Sequence, residues 1–143
     1  MEKKLCNRRS FVKQAGTATG LGLSAMLWSK RVLGADKRIR CGFIGVGSRG
    51  TALLRAAIKV PDAEVGVLCD IQEIETKKAL EDVKKSKVPY AEGVTTTADF
   101  REVIDAKDLD AIFIATPQHL HVPIAVEAVD AKRAVYCEKA LGY

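Results

Sequence analysis

Short apolar runs alternate with longer stretches of helical period from Arg40 onward, and this alternation limits the possible folds more than any other feature of the chain. Such alternation is typical of β-α-β units, whose strands lie parallel in one sheet. The runs are apolar at consecutive positions, which indicates strands that helices cover on both faces. The predicted strands are 39–46, 64–70, 93–95, 111–116 and 134–138, and the predicted helices are 49–60, 72–85, 99–104 and 119–131.

The chain has 143 residues, which leaves room for one core, because a typical domain holds about 100–150 residues. The sequence therefore predicts a single α/β domain over residues 36–143, built on a doubly wound parallel sheet. A short leader is expected to precede it.

The first 35 residues have the pattern of an export signal. Asn7, Arg8 and Arg9 open a segment that resembles the twin-arginine export motif, and a weakly apolar run over 15–28 follows it. That run is too short to span a bilayer, which takes about 20 apolar residues. We therefore predict a twin-arginine signal peptide over 1–35, a periplasmic or extracellular protein, and no stable membrane anchor.

The net charge of +5 is distributed unevenly. Residues 1–40 hold ten basic and two acidic side chains, so the rest of the chain is mildly acidic. Binding to nucleic acid needs a basic face with stacking aromatic side chains on the folded domain, and we expect no such partner. The four cysteines lack the spacing of zinc ligands, so we expect no metal site.

Residues 45–50 form a G-x-G-x-x-G sequence that closes the first predicted strand and opens the first predicted helix. In this context the motif predicts a turn that binds the diphosphate of a dinucleotide. Gly45 permits the tight turn, Gly47 lets the diphosphate approach the backbone, and Gly50 lets the helix pack close to the strand. The fold that this motif predicts is the Rossmann type.

An acidic residue, Asp70, lies twenty residues after Gly50 at the end of the second predicted strand. Its carboxylate is expected to accept hydrogen bonds from the adenosine ribose and to repel the extra phosphate of NADP, so NAD is the favoured cofactor and NADP the less favoured one. Ser48 and Arg49 lie at the helix start, whose free N–H groups attract phosphate. The side chain of Arg49 is expected either to contact a phosphate oxygen or to stay solvated.

The chain over 39–141 resembles the nucleotide-binding domain of the glucose-fructose oxidoreductase, inositol dehydrogenase and MocA (Gfo/Idh/MocA) family. The resemblance rests on the glycine motif 45–50, on residues 115–121 after the fourth predicted strand, and on residues 136–139 at the end of the fifth. All three lie at carboxyl ends of predicted strands, which is the edge where open parallel sheets bind ligands.

The resemblance implies that Lys139 is catalytic, polarising or deprotonating a sugar hydroxyl beside the nicotinamide. In the family, proline follows this lysine, whereas Ala140 stands there in this chain. The two histidines of 115–121 do not share a helix face, so at most one is expected in the cleft, and His119 is expected near the helix start as a capping group or a cofactor contact. The resemblance assigns further cofactor contacts to Thr116, Pro117 and Glu138.

Members of this family continue into a second α/β domain that holds the substrate, and we expect no such domain within these 143 residues. The favoured interpretation is the cofactor-binding part of an NAD-dependent oxidoreductase of sugars or polyols. The sequence leaves open whether this protein forms a homo-oligomer. A related interpretation is the cofactor domain of an NAD-requiring glycosidase, which oxidises a sugar carbon transiently. The alternative from another class is a truncated, non-catalytic nucleotide-binding module.

Overall fold

The computed structural model describes residues 38–141, so the predicted signal peptide over 1–35 lies outside the described residues. Every strand pairing in the described part is parallel, and the strands form one sheet. The strands are β1 (Ile39–Ile44), β2 (Ala63–Cys69), β3 (Thr95–Thr97), β4 (Ala111–Ile114) and β5 (Ala134–Cys137). Their order across the sheet is β3-β2-β1-β4-β5, which confirms the predicted doubly wound α/β fold.

A helix follows each of the first four strands. The helices are α1 (Ser48–Ala57), α2 (Glu73–Lys85), α3 (Phe100–Asp105) and α4 (His121–Asp130), and 3₁₀ turns lie at Ala91–Gly93 and Gln118–Leu120. Asp99 caps α3, since its carboxylate accepts a hydrogen bond of 2.9 Å from the N–H of Arg101. Short polar residues at this position satisfy N–H groups that the first turn leaves free.

Four of the five strands end one or two residues earlier than the sequence predicts. β1 stops at Ile44 because Gly45 turns the backbone with a φ of +84°. β4 stops at Ile114, and the tails that leave both strands run on as loops at the carboxyl edge of the sheet. The apolar runs continue into these loops, so apolarity alone overestimates strand length.

The third strand, predicted at 93–95, lies at Thr95–Thr97 instead. The chain before it closes into a 3₁₀ turn, in which the N–H of Gly93 donates to the carbonyl of Tyr90 at 3.0 Å. Residues held in that turn cannot pair with β2, so the ladder begins only where Thr95 lies opposite Val67.

The helix predicted over 119–131 begins at His121, because the preceding residues form the 3₁₀ turn Gln118–Leu120. The residue before α4 is Leu120, and no side chain caps this helix. The expectation that His119 acts as a capping group is therefore wrong.

The core lies on both faces of the sheet, as the uninterrupted apolar strands predict. Phe43 of β1 packs on one face with Leu54 of α1, and the side chain of Ile44 packs on the other face with Ile124 of α4. Successive side chains of a strand point to opposite faces, so β1 contributes to both layers. All four of these side chains are buried, and they anchor β1 to the helices on both faces of the sheet.

The chain moves from β1 outward to β3 on one side and then from β4 to β5 on the other. The loops after β1 and β4 therefore diverge at the carboxyl edge. In open α/β sheets the crevice at this topological switch point is the usual ligand site.

Candidate functional site

The turn after β1 leaves no room for side chains at two of its three glycines. A Cβ on Gly45 would lie 2.8 Å from the backbone of Ala115, and its φ of +84° is in the region that favours glycine. A Cβ on Gly50 would collide with the carbonyl oxygen of Gly45. These contacts agree with the roles that the motif predicts for Gly45 and Gly50.

Gly47 differs from its neighbours, because a Cβ built there meets nothing within 4 Å. Gly47 is the N-cap of α1, with no side-chain cap and no acidic residue in the first turn. The first N–H groups of a helix have no partner within the helix, and they attract anions. Open space therefore adjoins N–H groups of the type that binds phosphate.

Asp70 follows β2 and faces the glycine turn. One carboxylate oxygen accepts a hydrogen bond of 3.0 Å from the N–H of Val46, and the other accepts one of 2.9 Å from the N–H of Gln72. Each carboxylate oxygen has a further lone pair, so the group can also accept hydrogen bonds from hydroxyls. The structure thus holds Asp70 against the glycine turn.

A cleft of about 480 Å³ opens beside the glycine turn. It is lined by residues that follow β1, β2 and β4, together with apolar side chains of Ile71, Phe100 and Leu120. Six of the predicted cofactor contacts lie on its wall, namely Gly45, Gly47, Asp70, Thr116, Pro117 and His119. We refer to it as the cofactor cleft.

The hydroxyl of Thr116 is buried and has no hydrogen-bond partner. Buried polar groups are normally paired, so an unpaired one on a cleft wall indicates a group that a ligand would satisfy. Together with the open space at Gly47, this hydroxyl shows that the cleft suits a ligand with both phosphate and hydrogen-bonding groups. A dinucleotide has both.

Ser48 and Arg49, the two polar residues predicted as cofactor contacts at the start of α1, border different clefts. Ser48 borders a separate polar groove between α1 and α2, and its side chain does not line the cofactor cleft. Arg49 points toward β5 instead and borders a second cleft.

The second cleft has a volume of about 880 Å³ and shares Ala115 and Thr116 with the first. Lys139 lies on its wall with an exposed side chain. The peptide bond between Lys139 and Ala140 is cis. We refer to this space as the lysine cleft, which adjoins the cofactor cleft at Thr116.

Arg49 and Glu138 form an ion pair between α1 and the end of β5. The Nε and a terminal nitrogen of Arg49 lie 2.8 Å and 2.7 Å from one oxygen of Glu138, and the hydroxyl of Tyr136 donates to the same oxygen at 3.2 Å. The hydrogen bond from Arg49 lowers the pKa of Glu138 below its ordinary value of 4.5, against the opposing effect of burial. Glu138 is therefore ionised and engaged, which leaves Lys139 as the free charged side chain of its strand end.

The effect of acid on this pair has a definite sign. A carboxylate with a lowered pKa stabilises the fold above the pKa of the unfolded chain, and this contribution disappears as the pH falls through the lower, folded value. We expect the difference in unfolding free energy between wild type and Glu138→Gln to be constant from about pH 7 to about pH 5 and to shrink below it. Denaturant titrations across this range measure that difference.

Arg49→Gln is the matched background for this titration, because Arg49 is the largest cause of the lowered pKa of Glu138. In that background the acid-dependent part of the difference is expected to be smaller. An unchanged pH profile would show that another group holds Glu138.

His121 is the residue of this site that the sequence analysis missed. Its side chain is 2% exposed, its Nδ1 lies 3.1 Å from the carbonyl oxygen of Ala140, and its Nε2 lies 2.8 Å from that of Thr116. The signal was present, since His121 shares its buried face of α4 with Ile124 and Ala128 at helical spacing. The two histidines border different clefts, because His119 lies in the 3₁₀ turn and not in α4.

Two further features bear on the class of site. Across residues 38–141 no three His, Cys, Asp or Glu side chains are grouped so that they could hold a metal ion. Each helix of that same stretch is too short or too polar to cross a bilayer.

Comparison with known proteins agrees with the geometry. The model of the Gfo/Idh/MocA proteins, described as an oxidoreductase family with an NAD-binding Rossmann fold, matches residues 39–141. A glycosyl hydrolase family 109 protein of Stenotrophomonas maltophilia is 32% identical over 139 residues, or 94% of this chain and 30% of the relative. An alpha-N-acetylgalactosaminidase of Shewanella oneidensis is 29% identical and is covered to 34% of its length.

Among solved structures, the chain is similar to scyllo-inositol dehydrogenase from Lactobacillus casei with bound NAD(H) and scyllo-inositol. The TM-score is 0.62 at 25% identity, and the match covers 74% of this chain and 29% of that one. The chain thus spans about a third of the length of the relatives that it matches. It belongs to the Gfo/Idh/MocA oxidoreductase family, of which it carries the NAD-binding Rossmann domain.

Proposed function

We propose that the chain is the cofactor-binding part of an exported, NAD-dependent enzyme that acts on a hydroxyl of a sugar or polyol. The observation that carries the proposal is the junction of the two clefts at Thr116, whose buried hydroxyl lacks a partner. A cofactor in one cleft and a hydroxyl substrate in the other would meet at this junction. Reacting groups must be held in near-contact for transfer between them.

The residues of the cofactor cleft match the parts of NAD. The N–H groups at the start of α1, with Gly45 and Gly47, would hold the diphosphate, and Asp70 would hold the hydroxyls of the adenosine ribose. Thr116, Pro117 and His119 would line the nicotinamide end. NAD bound there would supply a hydride acceptor.

Lys139 is proposed as the group that takes the proton of the substrate hydroxyl. Its side chain is exposed in the lysine cleft, and the neighbouring carboxylate of Glu138 is engaged by Arg49. An amine placed within hydrogen-bond reach of a hydroxyl can polarise it or accept its proton. Arg49 and Glu138, predicted as cofactor contacts, act in this proposal by fixing the strand end that carries Lys139.

Calorimetric titration of the 143-residue chain with NAD tests the first part of the proposal. We expect saturable binding with a dissociation constant in the micromolar range or tighter, corresponding to about −8 kcal/mol. Titration with NADP under the same conditions is the control, and weaker binding is expected. A titration that shows no heat of NAD binding would contradict the proposal.

The role of Lys139 is tested in a protein that also carries the substrate-binding half. Lys139→Met is expected to lower kcat about a hundredfold or more, because removing a positioned acid-base group typically costs that much. The dissociation constant for NAD is expected to stay within about threefold. A kcat that survives the substitution would assign the proton transfer to another residue.

The relatives support two substrate chemistries. The inositol dehydrogenase of Lactobacillus casei favours net oxidation of a polyol, and the alpha-N-acetylgalactosaminidase of Shewanella oneidensis favours net hydrolysis of a glycoside. These chemistries are distinguished by assay of a protein that also carries the substrate-binding half. If it oxidises a polyol, we expect NADH to accumulate. If it hydrolyses a glycoside, we expect release of sugar from an aryl glycoside without accumulation of NADH. Observation of neither, with NAD bound, would favour a non-catalytic nucleotide-binding module.

Export by the twin-arginine route is part of the same proposal, with the signal peptide over 1–35, the domain over 36–143, and a periplasmic or extracellular location. This route carries folded proteins, which suits one that collects its cofactor in the cytosol. We expect the double substitution Arg8→Lys with Arg9→Lys to retain the precursor in the cytoplasm, measured by cell fractionation. Unchanged export would exclude the twin-arginine route.

A further inference from the structure

We infer that His121 is a positioning residue that links the segments after β4 and β5 and thereby aims Lys139 at the cofactor cleft. The inference rests on the proposed function, which gives Lys139 and Thr116 their roles. His121 itself touches neither the cofactor nor the substrate in this proposal. It acts through the backbone of the two segments that carry those residues.

The contacts of the imidazole join two distant parts of the chain. Nε2 contacts the carbonyl oxygen of Thr116, five residues before it, and Nδ1 contacts that of Ala140, nineteen residues after it. The side chain is 2% exposed, so water cannot replace either contact. A buried polar ring without partners would be costly, and the two carbonyls offer an acceptor to whichever ring nitrogen carries a proton.

Both partners of the ring are carbonyl oxygens, which accept hydrogen bonds and do not donate them. A neutral imidazole has one N–H and donates to one of them, whereas an imidazolium donates to both. In each state the ring lies between the two segments and limits how far they can separate. The donor at each ring position can therefore be tested separately.

The segment that carries Lys139 has already left the sheet. The N–H of Glu138 still donates to the carbonyl of Ile114 at 2.9 Å, continuing the ladder between β4 and β5. Beyond it, the bond from His121 to Ala140 ties the next turn of the chain to the start of α4. Lys139 lies between these two anchors, so both limit where the backbone places its side chain.

A purely space-filling role is the competing explanation, because His121 shares the buried face of α4 with Ile124 and Ala128. A space-filling ring would be replaceable by an apolar side chain of similar size. The position of the ring argues for more, since His121 borders the lysine cleft together with Thr116 and Ala140. Its ring nitrogens thus contact the backbone of two segments that line this cleft.

Three substitutions separate these explanations in the 143-residue chain. The amide N–H of His121→Asn takes the place of the Nδ1 donor and keeps the link to Ala140. That of His121→Gln takes the place of the Nε2 donor and keeps the link to Thr116. His121→Leu keeps neither donor. We expect His121→Leu to lower the thermal midpoint more than Asn or Gln, because only Leu loses every hydrogen-bond donor.

The readout is acetylation of Lys139 by an amine-selective reagent, measured by mass spectrometry with and without saturating NAD. Lys107, exposed before β4 at the opposite edge of the sheet, is the internal reference. In wild type and in His121→Asn we expect NAD to slow the labelling of Lys139 about fivefold. In His121→Gln and His121→Leu we expect little or no protection, with NAD affinity within about threefold of wild type.

Each result has one meaning. Equal protection in the Asn and Gln variants, or full protection in Leu, would overturn the inference, as would NAD binding that leaves Lys139 of the wild type unprotected. Failure of the wild type to bind NAD would instead remove the proposed function. If the Leu variant does not fold, the comparison of Asn with Gln still distinguishes a positioning role of His121 from a space-filling one.

Discussion

Gly50→Ala is expected to lower the free energy of unfolding by about 3 kcal/mol and to abolish NAD binding. The added methyl group would collide with the carbonyl oxygen of Gly45, which is backbone and cannot rotate away. Either α1 moves off β1 or the turn opens, and both changes displace the N–H groups at the helix start. Denaturant unfolding measures the loss of stability, and calorimetry measures the loss of binding.

Gly47→Ala is the matched control, because the same methyl group meets nothing within 4 Å. We expect its unfolding free energy to stay within about 0.5 kcal/mol of wild type. Its affinity for NAD is nevertheless expected to fall about tenfold, since the methyl group occupies the space through which the diphosphate approaches the backbone. Equal stability of the two alanine variants would contradict the geometry of the turn.

Asp70→Ser is expected to raise the affinity for NADP about tenfold, corresponding to about 1.4 kcal/mol. The carboxylate lies on the wall of the cofactor cleft, where it would repel the extra phosphate of NADP. The affinity for NAD is expected to fall, because the ribose hydroxyls lose their acceptor. Parallel calorimetric titrations with the two cofactors give both changes.

Asp70 also accepts the N–H groups of Val46 and Gln72, so its removal costs about 1 kcal/mol of stability per lost hydrogen bond. Asp70→Asn, which keeps one acceptor oxygen without the charge, separates the charge from that structural loss. Asp130→Asn changes the net charge equally at an exposed position outside both clefts and should leave the preference unchanged. An NAD preference that persists in Asp70→Ser would exclude Asp70 as its source.

The amino-acid sequence by itself determined the fold class, and it located the glycine turn and Asp70 at the ends of two strands. Burial on both faces of a sheet leaves continuous apolar runs, and the glycine turn and Asp70 follow from local backbone requirements at fixed spacing. These features depend on neighbours along the chain. The boundaries were less accurate, because the apolar runs continue past Gly45 into loops that pack on the edge of the sheet.

The tertiary structure alone decided which distant side chains meet. Arg49 was expected at a phosphate or in solvent, and it pairs with Glu138, while His121 contacts Thr116 five residues before it and Ala140 nineteen residues after it. Hydrophobic periodicity reports which face of an element is buried, and it carries no information on the partner across the sheet edge. That partner depends on the order of the strands and the rotation of each helix, which are set only when the whole core packs.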